Sequence, residues 1–200
     1  MTYCVGLLLK AGFVMLSDTR TNAGLDNIAT YRKMFVFEQP GERVIAILTA
    51  GSLSVTQTTI ARLREAYENP DADETTSILK APTLLKVAEI VGNALSNVSQ
   101  DITDKMNRMK QSASASMIVA GQRRGGEMRM FLIYPEGNFI EATEDTPFLQ
   151  IGEHKYGKPD STTGWCGPTP RWRMRKRRCC SRWIRPCDRT CRWGCRLTCW

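Results

Sequence analysis

Thr2-Tyr3-Cys4-Val5-Gly6-Leu7-Leu8-Leu9-Lys10-Ala11-Gly12-Phe13-Val14-Met15-Leu16-Ser17-Asp18 reads as two strands around a turn. Thr2–Leu9 and Phe13–Asp18 are rich in β-forming residues, and Lys10-Ala11-Gly12 separates them as a hairpin connection. A hairpin returns its second strand to the start of its first. Asp18 is therefore expected beside residue 2.

Working outward, Thr19–Asn27 is polar and contains glycine, which predicts a loop. Tyr31–Glu38 alternates, with Tyr31, Lys33, Phe35 and Phe37 on one face, and Gln39-Pro40-Gly41-Glu42 is a turn signal. Arg43–Ala50 reads as a buried strand ending at Gly51. Two helices follow: Ser52–Asn69, with Ser52 suited to the N-cap, and Ala81–Met109, with a broad apolar stripe and Pro82 near its start. Strands return over Ala113–Gly121, Met128–Tyr134, Phe139–Thr143 and Phe148–Ile151. The order is four strands, two helices, four strands, an α+β pattern in which helices cover one face of two stacked antiparallel sheets.

Charge divides the chain in two. Residues 1–159 carry 17 Lys and Arg against 18 Asp and Glu, whereas residues 160–200 carry 11 against two. The formal charge of +8 therefore belongs to the tail, which also holds all five tryptophans and seven of the eight cysteines. High pI is thus no argument for a protein-wide nucleic-acid function. The first part has Cys4 alone, which fits a reducing compartment and provides no disulfide framework. The apolar run Val5–Leu9 stops at Lys10, too short for a signal peptide or a membrane span. The expected setting is soluble and cytoplasmic, with neither membrane nor nucleic acid as partner.

The candidate chemistry begins at Thr2. Removal of Met1 before a small residue would give Thr2 a free α-amine next to its hydroxyl. That amine titrates near about 7.7–8.0, so it can serve as general base for its own hydroxyl. Met-Thr is also an ordinary start. Asp18 and Lys33 supply a carboxylate and an ammonium that ease ionisation of a nearby hydroxyl; equally, they suit a turn cap and a solvated strand residue. Gly51 in Leu48-Thr49-Ala50-Gly51-Ser52 lies where a strand meets a helix, and a backbone N–H there can bind an oxyanion or simply start the helix. His154 is the only histidine and has no carboxylate signature around it, which argues against a serine- or cysteine-type triad.

Thr2, Ser17-Asp18-Thr19-Arg20, Arg32-Lys33-Met34 and Thr49-Ala50-Gly51-Ser52 resemble, in order and spacing, the pattern of proteasome β-subunits. The run from Met1 through Gln150-Ile151-Gly152-Glu153-His154-Lys155-Tyr156-Gly157 is similar to Anbu (ancestral beta subunit), a bacterial proteasome-related family, over residues 1–158. The resemblance implies the four-layer αββα sandwich of N-terminal-nucleophile hydrolases, assembled as a ring-like or helical homo-oligomer. It implies Thr2 as nucleophile and base, Asp18 and Lys33 as the groups that tune it, and the Gly51 N–H as oxyanion donor. The substrate would be a peptide or unfolded protein, with no cofactor and no metal. One departure stands out: Glu153 lies where proteasomes carry a serine of the site. The competing readings are a non-catalytic assembling subunit with an idle Thr2, and a nucleic-acid binder acting through the basic tail.

The tail, residues 159–200, reads as out-of-frame and disordered. Cys187, Cys191, Cys195 and Cys199 recur every fourth residue, but Pro186 and Gly194 oppose a helix and the ladder matches no usual zinc module. Interleaved Arg and Trp suit stacking on nucleic acid, without an accompanying motif. In the frame that takes the third base of each codon with two of the next, Trp-Cys encodes valine, Cys-Cys leucine, Trp-Gly glycine and Trp-Ile aspartate. With free choices at degenerate positions, the tail back-reads to a Pro-Asp-Thr-Pro turn, an amphipathic EDAEKAMLLALD helix and a Ser-Asn-Leu-x-Val-Gly segment. That string resembles the C-terminal part of the same family and places a frameshift near residue 159. The last helical layer and last strands are therefore expected to be missing or disrupted.

Overall fold

A computed structural model describes residues 2–22, 28–106, 113–153 and 196–199. The first hairpin forms as its sequence predicts. Strand β1 (Tyr3–Leu9) pairs antiparallel with β2 (Gly12–Ser17), in a register running from Cys4 opposite Ser17 to Leu9 opposite Gly12. Asp18 follows directly, and its N–H donates to the Tyr3 carbonyl at 3.3 Å.

The polar stretch after Asp18 is more regular than a loop. Arg20–Asn22 (β3) pairs with Ile28–Thr30 (β4) as a two-stranded ribbon. Three residues are too few for period-2 alternation to register in the sequence. The next strand, β5 (Met34–Gln39), begins after Lys33, not at Tyr31. Tyr31 donates its N–H to Thr19 instead, at 2.8 Å, and so closes the ribbon.

Strands β5, β6 (Arg43–Gly51), β7 (Ala115–Arg123), β8 (Arg129–Ile133) and β9 (Phe139–Glu141) form an antiparallel sheet in that order. Both its faces are covered, which is why β6 and β7 read as nearly unbroken apolar runs. Ile45 and Ile47 point to one face, Ala46, Leu48 and Ala50 to the other. On the first face lie α1 (Leu53–Glu68) and α2 (Leu84–Met106), which bury Val55, Ile60, Leu63, Val87, Val91, Leu95 and Val98 against it. α2 starts at the Thr83 cap rather than at Ala81: the Thr83 hydroxyl accepts from the Lys86 N–H at 3.1 Å.

On the second face lies the first hairpin. Cys4, Phe13 and Met15 pack against Met34, Ala46, Leu48, Ala50, Ile118, Ala120 and Met130. Strand β10 (Phe148–Gly152) flanks β1, from Tyr3 opposite Gly152 to Leu7 opposite Phe148, and adds Leu149 and Ile151 to this inter-sheet core. From the tail, β11 (Arg196–Cys199) runs along the other edge of β2. The rest of the tail, with its tryptophans and most of its cysteines, lies outside the described residues, as does His154.

The fold is thus α+β, and the described residues make three layers of an αββα sandwich: two helices, a five-stranded sheet and a four-stranded sheet. On β1, β2 and β10, the side chains of the parity opposite to the core are Tyr3, Val5, Leu7, Leu9, Val14, Leu16, Phe148 and Gln150, most of them apolar. Among the described residues, no helix is long and apolar enough to cross a membrane.

One contact opposes helix propensity. A Cβ on Gly92, within α2, would overlap the Gly137 carbonyl oxygen, and Gly137 itself sits at φ 91°. In an open helix, Gly→Ala stabilises by about 1 kcal/mol. Here overpacking reverses the sign, and G92A is expected to lower stability by about 1–3 kcal/mol in urea unfolding.

Candidate active site

The hairpin places residues 2 and 18 at one end of the four-stranded sheet, and backbone groups then fix the carboxylate. The Tyr3 N–H donates to Asp18 Oδ1 and the Arg20 N–H to Oδ2, each at 3.1 Å. Asp18 therefore does cap a turn, and the same bonds aim it at its second partner.

That partner is Lys33. Its ammonium lies 3.0 and 2.9 Å from the two Asp18 oxygens, 2.5 Å from the Arg20 carbonyl oxygen and 2.8 Å from Thr2 Oγ1. Lys33 is 5% exposed. It does not stand among aromatics on a strand face, as the alternation of Tyr31–Glu38 predicts. It occupies irregular chain just ahead of β5, and its long side chain turns to the oxygens because a buried ammonium needs acceptors. Three protons meet three groups: the Asp18 carboxylate, the Arg20 carbonyl and the Thr2 hydroxyl. The Arg20 carbonyl carries no side-chain signal, so sequence reasoning could not have found it.

Gly51 closes β6 at φ 109°. A Cβ there would overlap the Ser114 carbonyl and lie 2.7 Å from Ala115 Cα, so glycine is required. The Ser52 N–H donates to the Ser114 carbonyl at 2.8 Å, and Ser52 occupies the N-cap of α1 without a side-chain capping bond. Its hydroxyl lies 3.0 Å from the Ser54 hydroxyl instead. The segment is tied to the lysine through the Thr49 N–H, which donates to the Lys33 carbonyl at 2.9 Å. Thr2, Asp18 and Lys33 thus form one bonded cluster, while Gly51 makes no bond to it and lies two residues beyond Thr49 on β6.

Cys4, two residues from Thr2, is not a rival nucleophile. It is fully buried, its Sγ faces the Thr49 carbonyl at 3.6 Å, and its pKa is pushed up to about 12, first by burial and then by the Asp18 charge. A thiol so held does not supply thiolate near neutral pH. Among the described residues no group of three or more His, Cys, Asp or Glu side chains is arranged to hold a metal.

No family model matches the chain, and no curated protein does. Solved structures do. Anbu (ancestral beta-subunit) from Yersinia bercovieri is 38% identical, with TM-score 0.74, over 84% of this chain and 68% of that one. An Anbu (Gly-1) mutant from Hyphomicrobium sp. strain MC1 is 46% identical, with TM-score 0.71, over 80% of this chain and 64% of that one. The helical assembly of the Anbu complex from Pseudomonas aeruginosa is 36% identical, with TM-score 0.84, over 99% and 80%.

Removing the carboxylate charge strands a buried ammonium. Because the Asp18 side chain is 28% exposed, water offsets part of the cost. D18N is expected to lose about 1–3 kcal/mol in chemical unfolding.

Proposed function

The chain belongs to the Anbu (ancestral beta-subunit) family, and on that premise we propose that its site is that of a proteasome-type threonine peptidase. One observation carries this reading: the Lys33 ammonium, held by Asp18, donates to Thr2 Oγ1 at 2.8 Å. With Met1 removed, the Thr2 hydroxyl attacks the carbonyl carbon of a peptide bond and gives its proton to its own α-amine. Lys33 lowers the cost of the developing alkoxide. Its protons are already committed to acceptors, so the α-amine is the group with a lone pair to spare. The Gly51 N–H receives the negative charge on the substrate oxygen. The α-ammonium then protonates the departing amine, which leaves an ester on Thr2 Oγ1. Water, with the same amine as base, hydrolyses that ester.

The chain self-assembles as a homo-oligomer, a reading supported by the helical assembly of its Pseudomonas aeruginosa relative, and its proposed setting is the cytoplasm. A second reading, an idle Thr2 in an assembling subunit, is favoured by Glu153 standing where proteasomes carry a serine.

The tail bears on activity. The apolar outward face of the four-stranded sheet suits cover by an amphipathic helix, and the tail can be back-read in the alternative frame to one when degenerate positions are chosen freely. Residues from about 159 are therefore read as out-of-frame, and the chain with this tail as having little activity. Sequencing of the locus in genomic DNA, with the intact protein mass, decides whether the present frame is the natural one.

The functional test uses two full-length polypeptides, the chain as it stands and one with its tail in the alternative frame. In the frame-restored chain, a peptide epoxyketone is expected to modify both amine and hydroxyl of Thr2, in a T2A-sensitive reaction. The rate should rise with pH and level off above about 8, as the amine becomes neutral. The chain as it stands should react at least tenfold more slowly. Retention of Met1, or no adduct on Thr2 in either chain, would leave the idle-subunit reading.

A further inference from the structure

Thr2 is held at a second point, by backbone alone. The Glu153 N–H donates to the Thr2 carbonyl at 2.7 Å. Gly152, opposite Tyr3 in the β1–β10 register, makes that approach possible. It sits at φ 91°, and a Cβ there would overlap the Thr2 carbonyl oxygen, lie 2.8 Å from the carbonyl carbon and 3.4 Å from Tyr3 Cα. The strand behind it is anchored by Leu149 and Ile151 in the inter-sheet core. Any other residue at 152 must push residue 2 away or give up the bond.

The consequence is stereochemical. Lys33 fixes Thr2 Oγ1 and Glu153 fixes the Thr2 carbonyl. Two substituents of a tetrahedral Cα are then oriented, and the direction of the third, the nitrogen, follows. A chain terminus would otherwise fray, and the amine has to stay beside the hydroxyl to take its proton. We propose that Gly152, through the close approach it permits, is a positioning residue that sets where the Thr2 amine points and so builds the general base. This rests on the reading of that amine as base. It adds to that reading a required residue on β10, a strand that contributes none of the four residues singled out from the sequence. Glu153 acts here through its N–H, whatever its carboxylate does.

The test is G152A, read in two ways. In the frame-restored full-length chain, the maximal rate of Thr2 modification by the epoxyketone is expected to fall by about 100-fold, the scale of a misplacement near 1 Å. The half-saturating probe concentration should change less than threefold, since the variant displaces the amine and not the probe. In the chain as it stands, hydrogen exchange at the Glu153 amide reports the clamp without any chemistry: slow with Gly152, fast with Ala. If wild-type Thr2 fails to react while the Glu153 amide is protected, the peptidase reading fails and the clamp stands. If G152A reacts at the wild-type rate, or the amide is unprotected in wild type, the clamp is overturned. A raised half-saturating concentration together with loss of folded protein would show a merely structural role and also overturn it.

Discussion

The ammonium of Lys33 is buried, and a buried ammonium is tolerated only where acceptors replace the water it has lost. Three elements supply them: Asp18 at the end of β2, the Arg20 carbonyl at the start of β3, and the Thr2 hydroxyl ahead of β1. Desolvation of an unpaired charge costs several kcal/mol, so the hairpin, the ribbon and the approach to β5 are constrained together. The arrangement that satisfies the charge also brings an ammonium to a hydroxyl. The bonds that satisfy the charge are the same ones that hold the Thr2 hydroxyl in place.

Around that cluster the layers act as a frame. The five-stranded sheet is packed on both faces, which fixes the course of β6 and so the position of Gly51. The four-stranded sheet holds residue 2 from either side, with β2 delivering Asp18 and β10 delivering the Glu153 N–H. Cys4 fills the inter-sheet core under the site, where burial keeps it a thiol. The Thr2 hydroxyl thus lies two residues from a sulfur atom that stays protonated near neutral pH.

Much of this was legible in the sequence, where local signals were strong. The apolar runs, the turn at Lys10–Ala11 and the helical stripes gave β1, β2, β6, α1 and α2 to within a few residues. The hairpin also predicted that Asp18 would return to Thr2, since pairing geometry follows from the turn. Other features were not legible. The β3–β4 ribbon is too short to show alternation. The shared parity of Tyr31, Phe35 and Phe37 places Lys33 on a strand, whereas its position is decided by oxygens distant in the chain. Backbone contributions, the Arg20 carbonyl and the Gly152–Glu153 approach, leave no side-chain signature beyond a glycine. In the tail, the four-residue spacing of Cys187, Cys191, Cys195 and Cys199 is interrupted by Gly194 and follows Pro186, so it predicts no packed element.

If Asp18, Lys33 and Thr2 operate as one unit, their contributions cannot be independent. The direct measurement is a double-mutant cycle on epoxyketone reaction at Thr2, comparing D18N, K33M and the double variant in the frame-restored chain. The account predicts that each single change costs at least about 100-fold, the scale of losing one preorganised donor, and that the double variant is no worse than the poorer single. Losses that multiply would show that the acid and the ammonium act separately, and would contradict it.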